Sequence, residues 1–155
     1  KNLGKDSDLK KVLETGDFIL ISVGQIKSPQ ARIKLYTQAK EWGAKFTCIC
    51  SRHSYCSEHT KIGEGSIVMH GAIVNSGAEI GRNCIINTLA LVEHNCIIGD
   101  HCHISTGVRL NGGVSVGEGS FLGSGVIVRE GLKIPPYSVI PAGTVLLGDY
   151  SGSSS

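Results

Sequence analysis

Aromatic residues are scarce in this chain: Phe, Trp and Tyr together make up 5% of its 155 positions, with one Trp and one Met. The core must therefore be aliphatic, because the large rings that fill many interiors are missing. Four prolines and no Gly-x-y period exclude collagen. Charge runs are absent, and 15 basic against 13 acidic residues leave a net charge of +2, which gives no electrostatic basis for a nucleic acid partner. No apolar stretch approaches the roughly 18 residues of a membrane span, and residues 1–15 lack the charged-then-apolar layout of a signal peptide. A cytoplasmic protein with no membrane partner is the default. There is also no initiator Met, and residues 151–155, Ser-Gly-Ser-Ser-Ser, read as a tail or linker, so a portion of a longer polypeptide is expected.

Glycine, by contrast, is plentiful, at 21 residues, or about twice the usual share. Its meaning comes from a repeat. Ile62, Val68, Val74, Ile80, Ile86, Val92, Ile98, Ile104, Leu110, Val116, Leu122, Val128, Ile134, Ile140 and Leu146 form one column, every sixth residue and all aliphatic. At 41% hydrophobic content such a run has a chance probability on the order of one in a million. The next residue alternates by class: Gly63, Gly81, Gly99 and Gly117 recur every eighteen residues, and Asn75, Glu93, Asn111 and Arg129 form a second such set. Three hexapeptides thus make one coil. A period of six suits short strands separated by turns, with Gly or Asn supplying positive φ. The expected fold is mainly β, a left-handed parallel β-helix.

Four residues beyond each column member sits a small or modest residue, including Cys84, Cys96 and Cys102. These cysteines read as inward packing at crowded corners rather than as disulfides or nucleophiles. Upstream, residues 17–23 read as a buried strand ending at Gly24, and Ser28-Pro29 as the start of a helix with Ile33, Tyr36, Ala39 and Trp42 on its apolar side. Gly43 ends that helix, residues 45–50 form the next strand, and 7–15 a short helix. Residues 1–50 are accordingly expected to be a small, partial α/β Rossmann-like subdomain, residues 51–150 the β-helix, and 151–155 a tail.

Several side chains could carry chemistry. Val92-Glu93-His94-Asn95-Cys96 and Asp100-His101-Cys102-His103 fall at prism corners. A solvent-facing His beside a carboxylate can serve as general base, and a surface His can equally be inert. Cys48, Cys50, His53, Cys56 and His59 have the inventory of a zinc site but no familiar ligand spacing, while Cys50 and Cys56 continue the six-residue column backwards as first rungs. Gly113-Val114-Ser115-Val116-Gly117 matches the nucleophile-elbow pattern, yet lies wholly inside the hexapeptide register, where no strand-to-helix elbow can form.

The stretches Ile86-Asn87-Thr88, Val92 through Asp100, His103-Ile104-Ser105 and Asn111-Gly112-Gly113 resemble the bacterial sugar acyltransferases that include sialic acid O-acetyltransferases and nucleotide-amino-sugar N-acetyltransferases. Asn2-Leu3-Gly4, the strand to Gly24, and Arg32 in its helix resemble the end of that family's sugar-binding domain. The resemblance implies acetyl-CoA as co-substrate with no metal, a homotrimer with active sites between subunits, and a nucleotide sugar or sialic acid as acceptor. It implies His94 as catalytic base with Glu93 beside it; His103, Gly112, Gly125 and Gly143 at acetyl-CoA; and Asn87, Gly24 and Arg32 at the sugar. Many relatives carry an acid just after the catalytic His, where this chain has Asn95, so Glu93 or a neighbouring chain is expected to orient the imidazole. N-acetylation of a nucleotide-linked amino sugar is the leading expectation, O-acetylation of a sugar hydroxyl the alternative, and a non-catalytic scaffold the reading from another class. A metal hydratase would require stoichiometric zinc.

Overall fold

The computed structural model describes residues 18–26, 28–148 and 150, together with Lys10 and Leu13. Apart from those two residues, the expected helix at 7–15 lies outside the described residues, as do Asn2-Leu3-Gly4 and the tail at 151–155.

The hexapeptide column folds into a triangular prism. Two-residue strands from Ile49–Cys50 to Val145–Leu146 fall in turn on three parallel faces of six, six and five strands. The first face begins with Ile49–Cys50, the second with Tyr55–Cys56 and the third with Lys61–Ile62. Each rung pairs with the rung eighteen residues away, as Leu91 does with Ile73 below and Arg109 above. In every rung the second residue is the column member. From Val68 to Ile140 all of them are at most 3% exposed, so the column is the core itself. Cys50 and Cys56 pair with Val68 and Val74, which makes them the first rungs.

Two distinct demands account for the glycines. Positive φ recurs every sixth residue from Gly65 to Gly143, and the chain meets it with nine glycines and with Asn83, Leu89, Asn95, His101 and Tyr137. The eighteen-residue series Gly63, Gly81, Gly99 and Gly117, expected to serve the same purpose, is absent from that set. It answers close stacking at the corner between the third and first faces. A Cβ on Gly81 would stand 2.7 Å from the Gly99 carbonyl carbon, and one on Gly99 would stand 2.6 Å from the Glu118 nitrogen. Gly99→Ala therefore pushes backbone against backbone, and a loss of about 1–3 kcal/mol is expected in denaturant unfolding.

The same corner explains the cysteines more fully than packing does. Cys48, Ser66, Cys84, Cys102 and Ser120 stack eighteen residues apart, and each donates its S–H or O–H to the carbonyl fifteen residues on, at 3.1, 2.8, 3.1, 3.1 and 3.1 Å. Four of those acceptors are the carbonyls of Gly63, Gly81, Gly99 and Gly117 themselves. The hydrogen bond with Cys84, and then burial, push the Cys102 thiol well above its ordinary range, so it is a structural donor and not a nucleophile. Cys102→Ala is expected to cost about 1–3 kcal/mol by orphaning the Gly117 carbonyl, whereas Cys102→Ser should recover most of it.

Ahead of the prism, β1 (Phe18–Ile19), α1 (Gln30–Glu41) and β2 (Lys45–Phe46) form a parallel crossover unit. The strand expected over 17–23 is only two residues long, and Phe18 is 67% exposed. The reason is competition for its backbone: the Ile21 and Val23 carbonyls accept from Arg32 instead of a sheet neighbour. The strand expected over 45–50 likewise divides. Lys45–Phe46 pairs with β1, whereas Ile49–Cys50 joins the prism beside Ile67–Val68. Helix α1 starts as expected, with Pro29 helical and the Ser28 hydroxyl accepting the Gln30 N–H at 3.3 Å. It ends at Gly43 (φ 80°), where Ala44 N–H bonds the Ala39 carbonyl and Gly43 N–H that of Lys40, the paired closure of a Schellman motif. Its buried face holds Tyr36 and Ala39, and also Arg32. Tyr36 stacks on Phe46 at 4.5 Å between ring centroids and donates its hydroxyl to Glu64 at 2.6 Å, fastening the unit to the prism.

Candidate functional site

His94 stands exposed on the corner between the second and third faces. Asn95 takes the left-handed turn (φ 58°) that ends the exposed part of the corner, and the Gly113 N–H of the coil above bonds the His94 carbonyl at 2.9 Å. The imidazole lies against Gly112: its Cε1 and Nε2 are both 2.6 Å from where a Cβ on residue 112 would sit, so only glycine leaves room for the ring. Among the described residues the Gly112 N–H has no acceptor. A free backbone donor and an imidazole nitrogen thus share one small patch of corner.

Glu93 does not orient that ring within the chain. Its carboxylate accepts from Asn75 Nδ2 at 2.9 Å and from the His94 backbone N–H at 3.3 Å. The neighbour of Nδ1 is instead the Asn95 amide, at 3.3 Å. The atom facing Nδ1 is the amide nitrogen, which donates to it; only with the amide turned by half a turn does its oxygen accept Nδ1–H and leave the Nε2 lone pair free.

A second polar system lies where the N-terminal unit covers the first face. Arg32 is 1% exposed and sends Nη1 to the Ile21 and Val23 carbonyls (2.9 and 2.5 Å) and Nη2 to the Asn83 carbonyl and Oδ1 (3.2 and 2.6 Å). Arginine only donates, so Asn83 Oδ1 is fixed as acceptor and Nδ2 must be what faces His101 Nδ1 at 2.9 Å. His101 is therefore neutral, with its proton on Nε2. Arg32 Nε and Gln25 Oε1 are buried without partners among the described residues. Arg32, expected at the sugar, is buried here with both terminal nitrogens bonded to the chain, so in this structure its guanidinium clamps the N-terminal unit to the prism. Arg32→Met should lower stability by about 3 kcal/mol, with proteolytic nicking of residues 20–26 as the more local readout.

His103, 7% exposed, is buried in the same junction. The Gln25 carbonyl lies 2.5 Å from Nδ1, and Asn87 Nδ2 lies 3.1 Å from Nε2. Burial chiefly holds both histidines below the ordinary imidazole value of 6.5; Arg32 acts in the same direction on each, and the Gln25 carbonyl opposes it at His103. The sign for stability follows. Below pH 6.5 the unfolded chain binds more protons than the folded one, so stability present above that pH is lost as pH falls toward the depressed folded values. Denaturant unfolding at pH 7.5 and 5.5 is expected to show this loss, and His101→Asn, which suits the left-handed turn, should reduce it.

The expected site residues therefore separate into groups. Glu93, His94 and Gly112 share the corner between the second and third faces. Asn87, Gly125 and Gly143 line the corner between the first and second, where a Cβ on either glycine would meet nothing within 4 Å. His103 is on the first face beside Asn87, and Gly24 is exposed after β1. A whole prism face, roughly 20 Å for six extended residues, divides the two corners within one chain. The residues with zinc inventory do not converge: among the described residues no three His, Cys, Asp or Glu side chains stand close enough to hold a metal ion. Gln25 and Asn83 escaped the sequence reading, since their partners lie 78 and 51 residues away.

The fold has close counterparts. The family model described as "Bacterial transferase hexapeptide (six repeats)" matches residues 59–94. PerB from Caulobacter crescentus, solved with CoA and GDP-perosamine, is 34% identical, with a TM-score of 0.90 over 97% of this chain and 72% of that one. The chain belongs to the bacterial hexapeptide-repeat sugar acetyltransferases. It is, by that membership, an acyltransferase. The acetyltransferase domain of PglB from Neisseria gonorrhoeae, solved with acetyl coenzyme A, is 28% identical, with a TM-score of 0.83 over 90% of this chain and 69% of that one. No curated protein sequence matches the acetyltransferase.

Proposed function

We propose that this acetyltransferase N-acetylates the amino group of a nucleotide-linked amino sugar, with acetyl-CoA as donor and His94 as general base. One observation carries the chemistry: an exposed imidazole shares its corner with a backbone N–H that has no acceptor among the described residues. Acetyl-CoA supplies an acetyl group already activated as a thioester. His94 Nε2 takes the proton that the acceptor nitrogen loses as its lone pair bonds to the acetyl carbon, and returns it to the sulfur as the C–S bond breaks. The Gly112 N–H faces the charge that develops on the carbonyl oxygen meanwhile. Glu93 holds Asn75 and the His94 backbone in place. Support for an amine acceptor comes from PerB, which was solved with GDP-perosamine.

The donor site fits this chain along the corner between the first and second faces. Left-handed Gly107, Gly125 and Gly143 leave bare backbone there, against which the extended arm of CoA can lie. That corner is a face away from His94, so one chain does not complete the site. A homotrimer does. The outward residues of the second face, Tyr55, Ile73, Leu91, Ile127 and Val145, are apolar and broken only by Arg109. The first face is covered by the N-terminal unit, and the third presents Lys61, Glu79, Ile97, Ser115 and Lys133. Turning three second faces toward a threefold axis parallel to the prism buries the apolar one. It also brings the His94 corner of each protomer beside the glycine corner of the next. Among the described residues no helix is long and apolar enough to cross a membrane.

The test is thiol release from acetyl-CoA with a panel of nucleotide 3-amino and 4-amino sugars and free sialic acid. Release confined to an amino sugar supports the proposal. Release with sialic acid alone would reassign the acceptor to a hydroxyl, and silence without calorimetric binding of acetyl-CoA would reduce the prism to a scaffold.

A further inference from the structure

The left-handed positions at the corner between the first and second faces are Gly71, Leu89, Gly107, Gly125 and Gly143. Leu89 breaks the glycine series, with φ 58°. That torsion is unfavourable for a residue carrying a Cβ, and Gly or Asn meets it more readily. Asn83 and Asn95 do so at the other two corners. Burial offsets little of the strain, because Leu89 is 65% exposed. A strained, solvent-facing leucine is therefore unexplained by the fold of the single chain.

Its side chain has a direction. A Cβ on Gly71 would stand 2.6 Å from Leu89 Cδ2 and 3.6 Å from Cγ, so the isobutyl group lies down over the coil below. A Cβ on Gly107 would meet nothing within 4 Å, so the space over the coil above is open. Followed downward, the bare backbone of Gly143, Gly125 and Gly107 thus ends on a shelf of leucine. Beneath the shelf the corner turns polar: His70 and His53 stack at 6.0 Å between ring centroids, and Arg52 Nε donates to His53 Nε2 at 3.0 Å.

The height of the shelf is the height of the chemistry. Leu89 and His94 flank the same rung, Leu91–Val92, and Gly107 and Gly112 flank the rung above it, Arg109–Leu110. With a threefold axis parallel to the prism, equal coils of neighbouring protomers stand level. His94 and Gly112 of one protomer then face Leu89 and Gly107 of the next. A donor whose arm descends over Gly143, Gly125 and Gly107 brings its thioester to that level, with the acyl end directed at Leu89.

We propose that Leu89 is the floor of the acyl pocket, a specificity-determining residue that admits acetyl-CoA and excludes longer acyl-CoA thioesters. This rests on the shared-corner reading given above. A leucine suits the end of an acetyl group, since methyl meets methyl and no polar group loses water. Each further methylene would have to enter the volume that Leu89 fills. The transfer step is the one already described, and Leu89 touches only the methyl end of the group that moves.

The experiment uses the full chain, an amino-sugar acceptor identified from the panel, and acetyl-, propionyl- and butyryl-CoA as donors. For the wild type, kcat/KM should fall about tenfold or more with each added methylene, the usual discrimination of an apolar pocket. Leu89→Gly removes the shelf, relieves the torsion and opens one further coil, about 4.8 Å of corner. Its kcat/KM for propionyl-CoA and butyryl-CoA, each taken relative to acetyl-CoA, should rise about tenfold or more. Leu89→Ala, which retains only the Cβ, should give a smaller rise. Light scattering on each variant separates this role from a contact that merely holds the trimer together, which would lower the mass and weaken all three donors alike.

That uniform loss would overturn the floor. So would a donor ratio unchanged in Leu89→Gly, or an acceptor KM that moves while the donor ratio does not, which would place Leu89 against the sugar. A wild type inert with every donor and acceptor would instead overturn the acetyltransferase reading. Calorimetry would still decide the floor in that case: tighter binding of butyryl-CoA by Leu89→Gly than by the wild type supports it, and equal binding overturns it.

Discussion

His94→Ala is expected to lower kcat/KM about 10²–10⁴-fold, the usual worth of general-base assistance, with the unfolding midpoint unchanged. The two halves of that expectation have separate origins. The ring is exposed and, among the described residues, its one side-chain hydrogen-bond partner is the Asn95 amide, so the fold does not depend on it. The Gly113 N–H bond goes to the His94 carbonyl, which alanine retains. Steady-state thiol release and thermal unfolding on the same preparations check both halves. Equal activity of the variant and the wild type would remove His94 from the mechanism. Gly112→Ala probes the same patch from the other side: a methyl 2.6 Å from Nε2 must displace the imidazole, so activity should fall with a smaller change in stability than Gly99→Ala produces.

The second large effect concerns assembly. Ile73→Asp combined with Ile127→Asp places two carboxylates on the outward surface of the second face, where in a trimer they would be buried against neighbours without partners. Light scattering at micromolar concentration should show a trimer for the wild type and a monomer for the double variant, and the monomer should lose its transferase activity. Both positions point away from the prism core, so the monomer's far-ultraviolet spectrum should be retained. Mixed oligomers add a stringent check. His94→Ala and Asn87→Ala, each impaired alone, should regain partial activity when co-expressed, because a site shared between chains can draw His94 from one and Asn87 from the other. No recovery would place both groups in one chain's site and contradict the shared-corner arrangement.

Much of this was legible in the linear chain. The aliphatic column predicts the prism, because a period of six leaves an inward position in every rung and because turns at the same period need residues that tolerate positive φ. His94 stood out because a polar Glu-His pair at a corner of such a repeat must face solvent. The functional neighbourhood was less legible at the same corner: Glu93 is adjacent in sequence, yet its carboxylate turns to Asn75 eighteen residues earlier and leaves the imidazole to Asn95. Glycine was ambiguous for a related reason. Gly65 and Gly63 look alike in a sequence, but one answers a torsion angle and the other the approach of a coil above it.

By itself, then, the sequence determined the repeat, the core, the corners and the family resemblance, all of which depend on periodicity or on neighbours within a few residues. Tertiary structure alone decided what the buried polar groups do. Arg32 looks like a ligand-binding cation on a helix until the carbonyls of Ile21, Val23 and Asn83 are found around it. His103 looks like a reactive imidazole until Gln25, 78 residues away, supplies the carbonyl that fixes its proton. Hydrogen bonds are directional and short-ranged, so which donor meets which acceptor depends on how the N-terminal unit docks against the prism, and local sequence does not contain that relation.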